Sequence, residues 1–147
     1  FLGDRVRIDP FTLITTSLRA GSDIQICSHV VIGGGALQTV TLEDWNFIGY
    51  GSKLFTASED YSGKYGPVNE FWNKKNKVFR GDITFGKYAG LASDVLVMPG
   101  VTLPQGCAIG AQSFVYSRNE LTPWSIWMGN PLRFHKQRSR EGILHGT

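Results

Sequence analysis

Residues 85–115 read FGKYAGLASDVLVMPGVTLPQGCAIGAQSFV, and their spacing decides the fold. Every sixth residue is large and apolar: Phe85, Leu91, Val97, Leu103, Ile109 and Val115. One step back lands on Phe79 and one step on lands on Leu121. Upstream, the same step runs through Leu2, Ile8, Ile14, Ala20, Ile26 and Ile32, and a further register holds Leu42, Ile48 and Leu54. With 41% hydrophobic residues in the chain, three unbroken runs of this kind are not chance. An α-helix would repeat its apolar residues at three and four instead.

Four residues after each key aliphatic the side chain is mostly small or β-branched: Thr12, Ile24, Val30, Ala36, Ser52, Ala89, Val95, Val101, Cys107 and Ser113. Glycine often follows the aliphatic directly, as at Gly21, Gly33, Gly49, Gly86 and Gly110. Each unit thus reads as a short strand and a tight corner, and three units close one triangular coil. A unit this short cannot bury its own face, so neighbouring coils must stack. Five to six coils at about 4.8 Å per strand give a prism roughly 25–30 Å tall.

The register breaks twice. Between Ile32 and Leu42, Gly33-Gly34-Gly35 and their neighbours are expected to hold a small extra loop. Residues 56–78 carry no six-residue period and are polar and aromatic (Glu59, Tyr61, Tyr65, Phe71, Trp72, Lys74, Lys75). A loop this long in a compact domain is usually functional. Its aromatic residues need a surface to bury against, and a single prism offers little. The period ends at Thr122-Pro123-Trp124, Gly129-Asn130-Pro131 signals a turn, and Leu132 to Ile143 is expected to form a short helix. The chain is thus one domain over 1–147, with an excursion loop at 56–78 and a C-terminal segment at 122–147.

The 147 residues carry a formal charge of +3, which says little about partners, although Arg133, Lys136, Arg138 and Arg140 cluster in the tail. That cluster suits an anionic ligand or a solvated end. Aromatic residues are not interleaved with a basic stripe, so nucleic acid is not an expected partner. No apolar run approaches the ~18 residues of a membrane-spanning helix, no signal peptide is evident, and Cys27 and Cys107 read as buried thiols of a cytoplasmic protein.

The stretch from Phe85 to Arg133, with PGVT at Pro99–Thr102 and GNP at Gly129–Pro131, resembles the hexapeptide-repeat acyltransferases with a left-handed β-helix. The nearest likeness is to bacterial sugar acetyltransferases of the maltose and galactoside type. The loop FTASEDYSG at Phe55–Gly63 resembles the branch found in surface-polysaccharide (lipopolysaccharide O-antigen) gene clusters. The resemblance implies an all-β, left-handed parallel β-helix with one long excursion loop and a short C-terminal tail or helix. It also implies a homotrimer with active sites in the grooves between prisms, and acetyl-CoA as co-substrate without a metal. Handedness comes from the resemblance alone, because the usual crossover preference is right-handed.

Acyl transfer from a thioester needs an aligned acceptor, removal of its proton and donors to the developing oxyanion. Where the sugar acetyltransferases read T-A-x-H, with histidine as base, this chain reads Thr56-Ala57-Ser58-Glu59. Either His29, expected at an outward corner, is the base with a carboxylate orienting it, or Glu59 acts itself; an amine acceptor would need little help. Asp60, Tyr61 and Lys64 are the candidate acceptor-binding residues. By motif position, Ser93, Gly110 and Ala111 meet the pantetheine arm, and Val115-Tyr116-Ser117-Arg118 stands where the family has V-T-K-D, so that Arg118 replaces the lysine one residue later. Arg133 and Lys136 match positions that meet the CoA phosphates, where a guanidinium fork suits phosphate oxygens. Trp124 or Trp127 could stack on adenine or simply pack.

His135 and His145 fall outside the repeats, so a three-histidine zinc site is not expected, and no Ser–His–acid or Cys–His spacing supports a covalent nucleophile. The expected function is acetyl transfer from acetyl-CoA to a hydroxyl or amine of a sugar or nucleotide-sugar, in surface-polysaccharide synthesis. The alternatives are a non-sugar acceptor (an amino acid or xenobiotic) and a non-catalytic β-helix scaffold.

Overall fold

A computed structural model describes residues 1–64 and 77–145. The first coil contains β1 (Val6–Ile8), β2 (Leu13–Ile14) and β3 (Ser17–Ala20), and the second β4 (Ile24–Ile26), β5 (Val31–Gly33) and β6 (Thr39–Leu42). The third begins with β7 (Phe47–Ile48) and β8 (Lys53–Phe55), leaves the prism through β9 (Ala57–Glu59) and β10 (Val78–Arg80), and returns with β11 (Ile83–Phe85). Then come β12 (Gly90–Leu91), β13 (Leu96–Val97) and β14 (Thr102–Leu103), followed by β15 (Ala108–Ile109) and β16 (Phe114–Val115). The chain ends with β17 (Ser125–Met128), β18 (Arg133–Gln137) and the single turn α1 (Glu141–Leu144).

Strands of the same rank pair in parallel and make three faces. Face I runs β1-β4-β7-β12-β15-β17, face II β2-β5-β8-β13-β16, and face III β3-β6-β11-β14. The six-residue aliphatics stack in register inside the prism: Ile26, Ile48, Leu91 and Ile109 on face I, Ile32, Leu54, Val97 and Val115 on face II, and Ala20, Leu42, Phe85 and Leu103 on face III. All are at most 2% exposed. At about 1.5–3 kcal/mol for each fully buried large side chain, these columns hold the coils together. Leu2 and Ile8 belong to the same columns yet are exposed, because they lie on the outermost coil.

Four expectations are corrected. Phe79 is not a rung of the prism: it is 49% exposed, in β10, which pairs antiparallel with β9. The excursion is therefore a hairpin stem that runs through Arg80, beyond the expected end at 78. Ala36 faces solvent in the small loop, and Val40 takes the inward place beside Ile83. The coil does not end at residue 122, because β17 adds a sixth rung to face I through Ile109↔Trp127.

The expected helix from 132 to 143 is instead the strand β18, folded back antiparallel on β17. Phe134 meets Trp127 edge-on at 5.6 Å, and that contact favours a strand over the tail's weak helical pattern. The loop aromatics Tyr65, Phe71 and Trp72, with Lys74 and Lys75, lie outside the described residues.

Candidate active site

The antiparallel hairpin decides what faces the prism. Alternation along β9 and β10 puts Ala57, Glu59, Val78 and Arg80 on one face of the stem and Phe79 on the other. The first group overhangs face II and encloses a cavity of about 620 Å³, whose floor is Phe55, Leu96 and Met98. Glu59 and Arg80, with Ser58 and Tyr61, supply its polar edge. Thr56, fully buried, fixes the root of the stem: its hydroxyl donates to the Gly33 carbonyl at 3.2 Å and its N–H to the same oxygen at 2.8 Å.

Glu59 is the unusual group here. Its Oε2 is shielded from solvent and has no hydrogen-bond partner among the described residues, although buried carboxylate oxygens are normally satisfied because desolvation is costly. The neighbouring Asp60 is differently employed. It accepts the Ser62 N–H at 2.8 Å, and hydrogen bonds from Ser62 hold its pKa below the usual carboxylate value. Tyr61 is exposed at the cavity rim, and Lys64 ends the described part of the outgoing loop.

His29 stands elsewhere. It occupies the corner between faces I and II with φ +61°, exposed, its ring stacked on Phe11 at 5.1 Å. It lines no part of the cavity. The stem leaves from the corner between faces II and III, about five residues farther along the coil, or roughly 17 Å at strand rise.

The residues expected to meet CoA divide in the same way. Ser93 lies at the I/II corner, where its carbonyl accepts the Gln112 N–H at 3.0 Å, and Gly110 and Ala111 lie one coil above. A Cβ on Gly110 would come within 2.8 Å of the Met128 side chain, and Met128 pairs with Arg133. Strict alternation would send Arg133 and Lys136 to opposite faces. The register shift between Ile126 and Trp127 instead pairs Arg133 with Met128 and Lys136 with Ile126, so both cations project outward from face I. Ser93, Gly110, Ala111, Arg133 and Lys136 therefore form one strip, whereas Ser117 and Arg118 sit exposed at the II/III corner.

The tryptophans proposed for adenine are engaged. Trp124, 5% exposed, lies against Tyr88 at 5.9 Å, and Trp127 Nε1 donates to Ser125 Oγ at 2.7 Å. Both cysteines are free and buried, and burial raises Cys107 to about 11, which leaves it protonated and unreactive. Among the described residues no three His, Cys, Asp or Glu side chains gather as metal ligands. Sequence reasoning missed Arg80, because the six-residue step claimed Phe79 for the prism. The alternation of Val78, Phe79 and Arg80 was the available signal.

No family model matches the chain. Over 145 residues it is 28% identical to a dTDP-4-amino-4,6-dideoxy-D-glucose acyltransferase of Escherichia coli, covering 95% of this chain and 72% of that protein. It is 29% identical over 102 residues to WcaF of Escherichia coli, assigned as an acetyltransferase of colanic acid biosynthesis, covering 69% of this chain but only 50% of the relative. Among solved structures it superposes on AntD, an N-acyltransferase of Bacillus cereus in complex with dTDP and 3-hydroxybutyryl-CoA. That match has a TM-score of 0.89 at 26% identity and covers 99% of this chain and 76% of AntD. Parallel six-residue coils along the chain, joined to these similarities, give it the fold of the left-handed β-helix acyltransferases and support acyl transfer as its activity.

Proposed function

We propose that the chain is the single catalytic domain of an acetyltransferase, which moves the acetyl group of acetyl-CoA to a nucleotide-linked aminosugar on its way into a surface polysaccharide. The observation that carries this reading is the shielded Glu59 oxygen beneath the hairpin, without a hydrogen-bond partner among the described residues, on an acyltransferase scaffold. A carboxylate is a poor base toward a neutral sugar hydroxyl. It is well suited to hold an ammonium and take its proton, because an amine's conjugate acid gives that proton up far more readily. The freed amine attacks the thioester carbonyl, the C–S bond breaks, and the second amine proton leaves with the CoA thiolate as thiol. The relatives that act on an amino-dideoxyglucose and bind dTDP with an acyl-CoA favour the same acceptor class.

Ser93, Gly110 and Ala111 flank the pantetheine arm in this account, and Arg133 and Lys136 meet the CoA phosphates. His29 and Glu59 lie at different corners, and so do Ser93 and Arg118. A closed threefold arrangement that sets the I/II corner of one prism against the II/III corner of the next accounts for both separations at once. Face II supports it: its outward column runs Leu13, which is 54% exposed, Val31, Lys53, Leu96 and Phe114, apolar at every rung but Lys53. In that trimer His29 is a secondary contact reaching the neighbour's hairpin, and Ser117 and Arg118 close the neighbour's CoA groove. No helix among the described residues is long and apolar enough to cross a membrane; acetyl-CoA and nucleotide-sugars are cytoplasmic metabolites, so we place the reaction in the cytoplasm.

Two experiments test the reading. Thiol release from acetyl-CoA, followed over a panel of free and nucleotide-linked sugars with and without an amine, is expected only with the amines. Calorimetry should show CoA binding that weakens at least tenfold in the Arg118→Ala, Lys136→Ala double variant. A folded protein with no CoA affinity would return the chain to the scaffold reading.

A further inference from the structure

We infer that Arg80 selects the acceptor by its phosphate, so that the cavity takes a nucleoside-diphosphate-linked sugar and discriminates against the free one. The inference rests on the acyltransferase reading and adds a specificity-determining residue to it. Arg80 pairs with Ala57, and Glu59 with Val78. Arg80 and Glu59 are therefore diagonal neighbours on the same face of the stem, a relation that places two positions about 7–8 Å apart. That is of the order of a hexose ring with its two exocyclic substituents, so an amine held at Glu59 directs the opposite end of the sugar toward Arg80.

Arg80 is also uncommitted. Arg5, Arg7 and Lys87 are each bound to an aspartate, and Arg138 is held by two carbonyls. The guanidinium of Arg80 has no such partner among the described residues. It stands at the mouth of a cavity whose floor, Phe55, Leu96 and Met98, is apolar. A planar fork free to donate two parallel hydrogen bonds suits the oxygens of a diphosphate. The cavity, at about 620 Å³, falls in the range of sites that enclose a ligand larger than one sugar ring.

The test uses the full chain and two titrants, dTDP and CoA, measured by calorimetry on wild type, Arg80→Gln and Arg80→Lys. Wild type is expected to bind both. Arg80→Gln should weaken dTDP binding at least tenfold and Arg80→Lys less, with CoA affinity unchanged within twofold. In turnover, Arg80→Gln should raise KM for a nucleotide-linked aminosugar at least tenfold, change kcat less than threefold, and leave the free aminosugar unaffected. Equal dTDP affinity in wild type and Arg80→Gln would overturn the inference, as would CoA binding without any dTDP binding. Loss of CoA binding by wild type would instead overturn the acyltransferase reading on which it rests.

Discussion

Two corners of this prism differ in backbone geometry and in what they hold. At the III/I corner, Arg5, Asp23, Trp45, Tyr88, Gly106 and Trp124 all take positive φ, a conformation that costs a non-glycine residue about 1–3 kcal/mol. The side chains recover that cost by stacking. Trp45 lies on Tyr88 at 6.4 Å, Tyr88 on Trp124 at 5.9 Å, and Arg140 over Trp124 at 5.2 Å. Gly106 is the one rung without a side chain, because the Trp124 ring already fills its place. Among the described residues nothing is laddered in this way at the II/III corner: the coil opens, the hairpin departs, and Glu59 keeps a shielded oxygen without a hydrogen-bond partner. On the function proposed above, one corner serves cohesion and the other chemistry, so their variants should separate stability from activity.

The largest effect on stability belongs to Gly106→Val. Its Cβ would collide with the Trp124 ring, at φ +70°, and the combined strain and overpacking should cost about 3 kcal/mol or more in urea unfolding. Arg138→Ala comes next. It strips hydrogen bonds from the carbonyls of Tyr88 (2.7 Å) and Gly106 (3.0 Å), at about 1–3 kcal/mol, and should loosen the return of β18.

A smaller effect at the same corner is titratable. Asp44 accepts the Ser22 N–H at 2.9 Å and pairs with Lys87 at 2.9 Å, which depresses its pKa below 3.8. A depressed carboxylate stabilises the fold above its unfolded pKa, and that contribution is lost as pH falls through the lower folded value. Acid unfolding below about pH 4 should therefore be less steep in Asp44→Asn. No loss of stability is expected at the other corner, where Glu59→Gln removes the charge of a shielded carboxylate and should leave urea unfolding unchanged or shift it to higher urea.

The prism itself was legible in the sequence because a six-residue period leaves one inward position per strand, and only stacking buries it. Phe85, Leu91 and Val97 could be placed on three different faces before any coordinate. Phe79 could not be placed correctly, since an aromatic residue in phase with the repeat looks the same whether it points into a core or away from a hairpin. The tail misled for a related reason. Leu132–Ile143 has weak helical and weak strand character, and a single long-range contact, Phe134 on Trp127, decided between them. For the candidate site, motif position singled out the excursion loop and Glu59, but neither the one-face placement of Arg133 and Lys136 nor Arg80 could be read. The first depends on a bulge and the second on antiparallel pairing across residues far apart in the chain.

The most direct test of the central claim compares wild type with Glu59→Gln in acetyl transfer to a dTDP-linked aminosugar, with CoA affinity measured alongside. The account predicts turnover by wild type and a fall in kcat of about 10²–10⁴ in the variant, the range for removal of a positioned general base, with CoA affinity unchanged and no loss of stability. Glu59→Gln turning over at the wild-type rate would contradict it.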